Sequence, residues 1–423
     1  MPDMPFGFAL PGGSPDPGDP QQMQRFLEQL QRLFIAGSGG GPVNWELARQ
    51  VALGHLTGQG PGQLPVPMPG VGFGPAAPGA APGDPAVTPA ERATVDEALR
   101  LADLWLEPNC ALPSGIRTTA AWTRADWIAQ TLDVWRKLCD PVASRMVAAI
   151  GDLVPDEARA QLGPMQAMFA NIGGALFGAQ LGQALGSLAA EVLSAGDIGL
   201  PLGPAGTAAL LPANIAAYGE GLEIAEEEVR LYVALREAAH QRLFGHVPWL
   251  RGHLLAAVET YAAGIRVNRE AVEEAIGRFD PMSPESVEEL QIEGIFTPGD
   301  SPQQKAALTR LETALALVEG WVCQVVDQAA TDRLPGVVRL SEAFRRRRAA
   351  GGPAEQTFAA LVGLELRPRR LREAAALWAA LAEHRGIEGR DAVWGHPDLL
   401  PAEEDFADPV RFASTQLDLE FPE

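Results

Sequence analysis

The stretch "LREAAHQRLFGHVPWLRGHLL", Leu235 to Leu255, decides how the chain is read. Together with the preceding "EEVRLYVA" it places apolar residues at Val229, Tyr232, Val233, Leu235, Ala239, Leu243 and Phe244. Spacings of three and four are those of a helix with most of its surface packed. Pro248 then starts a second helix, because proline suits a first turn and breaks an interior. Inside the first helix, Arg236-Glu237-Ala238-Ala239-His240 has the outline of H-E-x-x-H with its first histidine replaced. In that motif two histidines four apart face one metal, and the glutamate takes a proton from metal-bound water. Arginine is permanently charged and offers no lone pair. This helix alone therefore cannot build such a site. His240, His246 and His253 are half of the chain's 6 histidines. His246 and His253 are candidate replacement ligands, weighed against the plainer reading of histidines that cap and pack.

Outward from this stretch the pattern stays helical. "TPAERATVDEALRLADLWL" opens with Thr88 as a cap and Pro89 in the first turn, a strong helix start. Further helices are expected at about 120–150, 156–162, 164–194, 222–245, 247–265, 268–278, 283–290, 302–330, 334–349 and 368–386. Ser283 and Ser301 offer start signals for two of them. "DIGLPL" and "GTAALLPANIAAYG" are short apolar runs between Gly and Pro, which predicts one small hairpin. The fold class is mainly α: a multi-helix body with a minor β-hairpin.

The N-terminal part differs. A tail over 1–20 and a Pro/Gly-rich linker over 58–86 cannot build a core and are expected to be disordered. Between them, over 21–57, lie two short helices, "QQMQRFLEQLQRLF" and "NWELARQVALGHL", the second with Asn44 as a cap. The helical body takes 87–423. Met168 to Gly196 is apolar enough to suggest a membrane span, but Asn171, Gln180, Gln183 and Glu191 make it a buried helix instead. Its glycines at 174, 178, 182 and 186 line one face. Each costs about 1 kcal/mol in a helix relative to alanine, so the stripe implies a close neighbour or, less simply, a second copy.

The 33 basic and 54 acidic residues give a net charge of −21. That excludes nucleic acid and anionic membrane as main partners, since phosphate binding needs a basic footprint. Three separated cysteines, Cys110, Cys139 and Cys323, form no pairwise motif and fit a reducing, cytoplasmic setting. The start of the chain has no signal-peptide pattern. Arg345 to Arg348, with Arg367, Arg369, Arg370 and Arg372, form basic clusters. They suit an acidic peptide, a phosphate group, the protein's own acidic faces, or simply a solvated helix end. "GRDAVWGHPDLLP" holds His396 and Asp398, a candidate polar pair, beside Trp394, a candidate anchor for a turn. No phosphate-binding loop, dinucleotide fingerprint or serine elbow is present.

The stretch "REAAHQRLFGHVPWLRGHLLAAVETYAAGIRV" resembles an actinobacterial family of zincin-like proteins that carry a hydrolase name, with a branch associated with deazaflavin-coenzyme biosynthesis. "PFGF", "GPVNWELARQVAL", "GAQLGQALGSLAAEVLSAGDIGLPLGP", "LALVEGWVCQVVD", "VGLELRPRRLREAAALWAAL" and "GIEGRDAVWGHPDLLP" are similar to it as well. The resemblance implies a helical body around a zincin-like core, and zinc as cofactor. By it, Glu237 matches the general base, His240 the second ligand and Glu319 of "LVEGW" the third. Arg236 stands at the first ligand, and Trp321 where relatives carry a downstream histidine. Catalytic zinc normally takes three protein ligands.

The leading expectation is a non-catalytic scaffold or binding protein without metal, in which Arg236 pairs with Glu237 or Glu319 across two helices. It would act on a protein or peptide partner. Two alternatives stand beside it. One is an active zinc hydrolase or peptidase using His240, Glu319 and a replacement such as His246 or His253, with Glu237 as base. The other is an adaptor acting through its N-terminal helices.

Overall fold

The protein is described from a computed structural model, over residues 41–57, 83–152, 163–263, 266–267, 296–297, 302–351 and 370–415. The helices expected over 156–162, 268–278 and 283–290, the first N-terminal helix and nearly all of the linker lie outside these residues.

The central helix, α6 (Glu226–His246), is buried without interruption from Tyr232 to Leu243. Three glutamates fill its first turn and His246 its last, matching the helix dipole at both ends. Helix α2 (Pro89–Leu106) packs along it through Val95, Leu99, Ala102 and Leu106, an i, i+4, i+7 stripe. The α2 start is the predicted one. Thr88 Oγ1 accepts from the Glu91 amide at 3.2 Å and the Glu91 carboxylate accepts from the Thr88 amide at 2.7 Å, a reciprocal cap. Across α6 on another side lies α8 (Pro302–Ala330), itself flanked by α7 (Leu250–Ala263), α9 (Val337–Ala350) and α10 (Leu371–Ala392). Gly386, at φ +71°, breaks α10 where the sequence predicts its end, and a further helical stretch then runs to Ala392. The short α11 (Pro409–Ser414) closes against α10. Trp127, Trp135, Trp321 and Trp378 are fully buried within this body.

The glycine stripe sits on α4 (Gly163–Glu191) and is filled by α1 (Trp45–Leu56). A methyl built on Gly178 would lie 2.5 Å from the Asn44 carbonyl oxygen, and one on Gly182 would lie 2.4 Å from that of Ala48. The glycines let two backbones touch. The neighbour is a helix of this chain, capped as expected by Asn44, whose Oδ1 accepts from the Leu47 amide at 3.0 Å. Among the described residues no helix is long and apolar enough to cross a membrane.

The predicted hairpin is corrected. β1 (Thr118–Ala121) pairs in parallel with β2 (Thr207–Leu210), and "DIGLPL" forms turns that carry no strand. Parallel strands need a long crossover, and here α3 (Arg124–Asp152) and α4 supply it. A one-residue antiparallel bridge joins Ser194 to Leu210, tying the loop after α4 onto β2. The other strand pair, β3 (Arg266–Val267) with β4 (Phe296–Thr297), is two residues long. α5 (Pro212–Gly219) leads from β2 back to α6.

Candidate functional site

Helical spacing puts Arg236 and His240 on one face of α6, and Glu319 and Cys323 on the facing side of α8. The two faces meet. Arg236 Nη2 lies 2.6 Å from Glu319 Oε2, and His240 Nε2 lies 3.0 Å from Glu319 Oε1. Arg348, from α9, brings its Nε to 3.7 Å from Glu319 Oε2, the oxygen that Arg236 also meets. Arg236 also donates to Cys323 Sγ at 3.4 Å and lies over the Phe344 ring at 5.2 Å. Arg236, His240, Glu319 and Arg348 are all buried.

Burial pushes the Glu319 carboxyl upward, but Arg236 and Arg348, with the His240 hydrogen bond, outweigh it and hold it well below the ordinary range. Burial likewise works against the Arg236 cation, and Glu319 more than offsets it. The pair is therefore ionised on both sides. A carboxylate only accepts, so His240 carries its proton on Nε2. Its Nδ1 is buried and has no hydrogen-bond partner among the described residues. The backbone makes room for this arrangement. Gly199, at φ +79°, passes so close that a methyl there would lie 2.8 Å from Glu319 Oε1. Gly320 packs against α10 with no space for a side chain, since a methyl there would lie 2.7 Å from Ala374 Cβ.

Glu237 faces elsewhere. Its Oε2 accepts from the Gly196 amide at 2.8 Å and its Oε1 from Gln241 Nε2 at 2.9 Å. It forms no ion pair with Arg236 among the described residues, because successive helix positions point about 100° apart. Of the two expected carboxylate partners, Arg236 has Glu319. Glu237 is fully buried, and burial raises its carboxyl above the usual range against the pull of His240, Gln241 and Gly196.

The two candidate replacement ligands are placed apart from this cluster. His246 is exposed and its Nε2 donates to the Ser114 carbonyl at 3.0 Å. His253 stands edge-on to Trp249, with ring centres 5.5 Å apart, and burial lowers its pKa. Among the described residues no group of three or more His, Cys, Asp or Glu side chains gathers as a metal site would require.

The arginine run is no solvated helix end. Arg345 pairs with Asp327 at 2.5 Å, Arg347 grips Asp197 through two bonds at 2.8 and 3.1 Å, and Arg348 donates to the Ile198 carbonyl at 2.9 Å. Arg346 alone of the four is largely exposed, beside Glu342. The run thus closes on the protein's own carboxylates. Arg348 is the residue of the cluster that spacing did not single out, since its approach to Glu319 depends on how α9 crosses α8. Trp321 donates to Asp391 at 2.8 Å, and Trp394 stacks on Trp378 with ring centres 5.1 Å apart. His396 and Asp398 are a surface pair at 3.4 Å, in a turn anchored by Trp394.

On the outer side of Glu237, beyond Gly196 and Gln241, a cleft of about 340 Å³ opens. Its walls come from the turn 200–206, from Ser114, Gly115 and Arg117, and from the end of α6. Much of the wall is bare backbone. A methyl on Gly115 would overlap the Gln241 carbonyl, and Gly206, at φ +78°, lets Arg117 lie flat across it. Arg117 and Arg251 bring positive groups to the lining, with His246 beside them, and among the described residues the lining includes no aspartate or glutamate.

A solved structure, described as "a putative hydrolase with a novel fold" from Chloroflexus aurantiacus, is similar to this chain with a TM-score of 0.57. The match covers 88% of this chain and 97% of the other at 20% identity, which speaks to the fold alone. No curated protein matches the chain significantly. The sequence model of the zincin-like metallopeptidases matches residues 74–413, a span that holds both the α6 motif and Glu319, and the chain belongs to that family.

Proposed function

We propose that this chain is a metal-free member of its family that binds a peptide or protein ligand and does not hydrolyse it. The observation that carries this reading is the 2.6 Å contact between Arg236 and Glu319. Zinc is the metal the family implies, and the donor set does not fit it. The first ligand position holds a guanidinium, which cannot coordinate. The third ligand position, Glu319, is already bonded to that guanidinium and to His240. A zinc ion there would have to displace a buried arginine whose charge would then have no partner. The proposed base, Glu237, has both carboxylate oxygens bonded by protein groups and no exposure, and it faces away from Arg236 and Glu319. On this reading the guanidinium supplies the positive charge that joins α6 to α8.

The adaptor alternative loses one of its helices, since α1 is spent on the glycine stripe of α4. Cytoplasmic residence is supported by three free, buried cysteines. The link to the actinobacterial, deazaflavin-associated branch is supported by the sequence blocks quoted above, and deazaflavin coenzyme measured in a deletion strain tests it.

The test of the central reading is metal content, by mass spectrometry of protein purified without chelator or affinity metal. Folded protein with no zinc is expected. About one tightly held zinc per chain, of the kind that three protein ligands give, would overturn the reading and make Glu237 the base of an active hydrolase.

A further inference from the structure

The cleft beside Glu237 holds charges that the fold does not use. Arg251 is half-buried, yet its one hydrogen bond among the described residues is a long one, 3.4 Å to the Gly203 carbonyl. Arg117 donates to the Ala205 carbonyl at 3.0 Å. Neither forms an ion pair among the described residues, although the chain carries 54 acidic residues. Elsewhere in the body four of the five buried arginines are matched by a carboxylate among the described residues, and the fifth, Arg124, meets Asn214 and the Gly83 carbonyl. Arg242 reaches Asp103 and Glu107, Arg390 reaches Asp391, and Arg236 reaches Glu319. Half-burying a cation without a carboxylate costs stability, and burial lowers the Arg251 pKa accordingly.

Two features aim this charge. The guanidinium groups of Arg117 and Arg251 bond to carbonyls two residues apart in one turn, which sets both at the same rim. His246, also in the lining, is held by its bond to the Ser114 carbonyl. Behind them the wall turns apolar, with Leu200, Pro201 and Phe244. A volume of about 340 Å³ is within the range of small-molecule sites, at its lower end.

We propose that this cleft binds a small organic oxyanion, its charged end between Arg117 and Arg251 and its hydrocarbon part against Leu200, Pro201 and Phe244. A carboxylate that ends a short peptide has this chemistry, and so has a phosphate ester. Planar guanidinium groups are suited to either. The proposal names the ligand class for the binding role given above, and rests on that reading only in holding that the ligand leaves unchanged.

Calorimetric titration of the full chain tests it, with three probes: N-acetyl-leucyl-leucine as the free acid, the same compound as its C-terminal amide, and inorganic phosphate. The expected result is binding of the free acid or phosphate with a Kd below about 1 mM, weakened by salt, and no binding of the amide. Arg251→Gln is expected to cost at least about tenfold in affinity, with Arg251→Lys between it and the native chain. Circular dichroism of both variants establishes that they are folded. Acid preferred over phosphate identifies a peptide terminus, and the reverse identifies a phosphate compound. The proposal is overturned if neither anion binds the folded protein. Equal binding of acid and amide, or affinity unchanged in Arg251→Gln, overturns it as well. Mass spectrometry of the peptide recovered after titration separates the two readings. Bound peptide found cleaved would sink the non-catalytic role and leave the anion site standing. Absence of binding in a zinc-free protein would do the opposite.

Discussion

Two arginine-bearing places adjoin one helix, α6, the first at its middle and the second at its end, and they handle charge in opposite ways. At the first, Arg236 sits in the dry interior with a carboxylate, a thiol and an aromatic ring around it. At the second, Arg251 and Arg117 line an open cleft where, among the described residues, their guanidinium groups bond backbone carbonyls alone. In the first place each charge answers another, and the result is cohesion between α6 and α8. In the second no carboxylate answers the charge among the described residues, which for half-buried Arg251 is a cost to folding and, with exposed Arg117 beside it, an opportunity for a ligand. The family motif lies in the first place. The capacity to bind, on this comparison, lies in the second.

The comparison breaks most readily at Glu319. Replacing it with alanine leaves Arg236 and Arg348 buried without their carboxylate. Loss of one member of a buried pair costs about 3–5 kcal/mol, so Glu319→Ala is expected to be the most damaging substitution in the molecule. Calorimetric or urea unfolding would read it. A loss no larger than about 1 kcal/mol, the range of exposed pairs, would mean that the cluster is wet and that its charges are no tighter than those of the cleft.

A second change converts the first place toward what its motif outlines. Arg236→His would offer imidazole where the guanidinium stands, beside His240 and Glu319. The variant is expected to take up about one zinc per chain where the native protein takes none, because three ligands then converge. Zinc at about 100 times its dissociation constant would add about 2.7 kcal/mol to the stability of the variant, and nothing to that of the native chain. A variant that folds and ignores zinc would show that Arg348, 3.7 Å from Glu319, blocks the metal by itself.

How far the sequence foretold these two places differs for a physical reason. The cluster was legible because its members repeat at helical spacing: Arg236 with His240, and Glu319 inside a block similar to family relatives. The α2 cap, the glycine stripe and the buried α6 were legible on the same local grounds. The cleft was not. Arg117 follows a loop, Arg251 begins a helix, and the turn 200–206 that gathers them reads in the sequence as the end of one hairpin strand and the link to the next. Short apolar runs between Gly and Pro do not tell a strand from a packed turn, and parallel pairing across a long crossover leaves no local mark. Arg348 and the carboxylates that claim the arginine run were hidden for the same cause, since they depend on how helices cross.

The cleft arginines supply a sharper, gentler test. Arg251→Gln removes a half-buried cation that has no carboxylate to lose. Its stability is expected to stay within about 0.5 kcal/mol of the native chain, while Glu319→Ala falls by several. Urea unfolding of the two variants side by side checks this. A large loss in Arg251→Gln would show that the cleft charge is structural after all.

The smallest expected effect concerns Glu237, which stands between the two places. Burial raises its folded pKa above the unfolded value, so the folded state holds a proton there at a pH where the unfolded chain has released it. Stability from this group is then present at low pH and lost as pH rises through the raised value. Glu319 runs the other way: its pKa is depressed, so its contribution is present above the ordinary carboxylate range and lost as pH falls toward the depressed value. Glu237→Gln removes the first dependence and leaves the second. The glutamine oxygen can still accept from the Gly196 amide, and Gln241 can turn to offer its own oxygen to the new amide. Unfolding measured from the carboxylate range to neutral should therefore show a native curve that declines with rising pH relative to that of the variant. Parallel curves would mean that Glu237 is ionised throughout, stabilised by Gly196, Gln241 and Ser194 against its burial. In that case a negative charge would lie directly behind the cleft wall, and anion affinity should rise in Glu237→Gln.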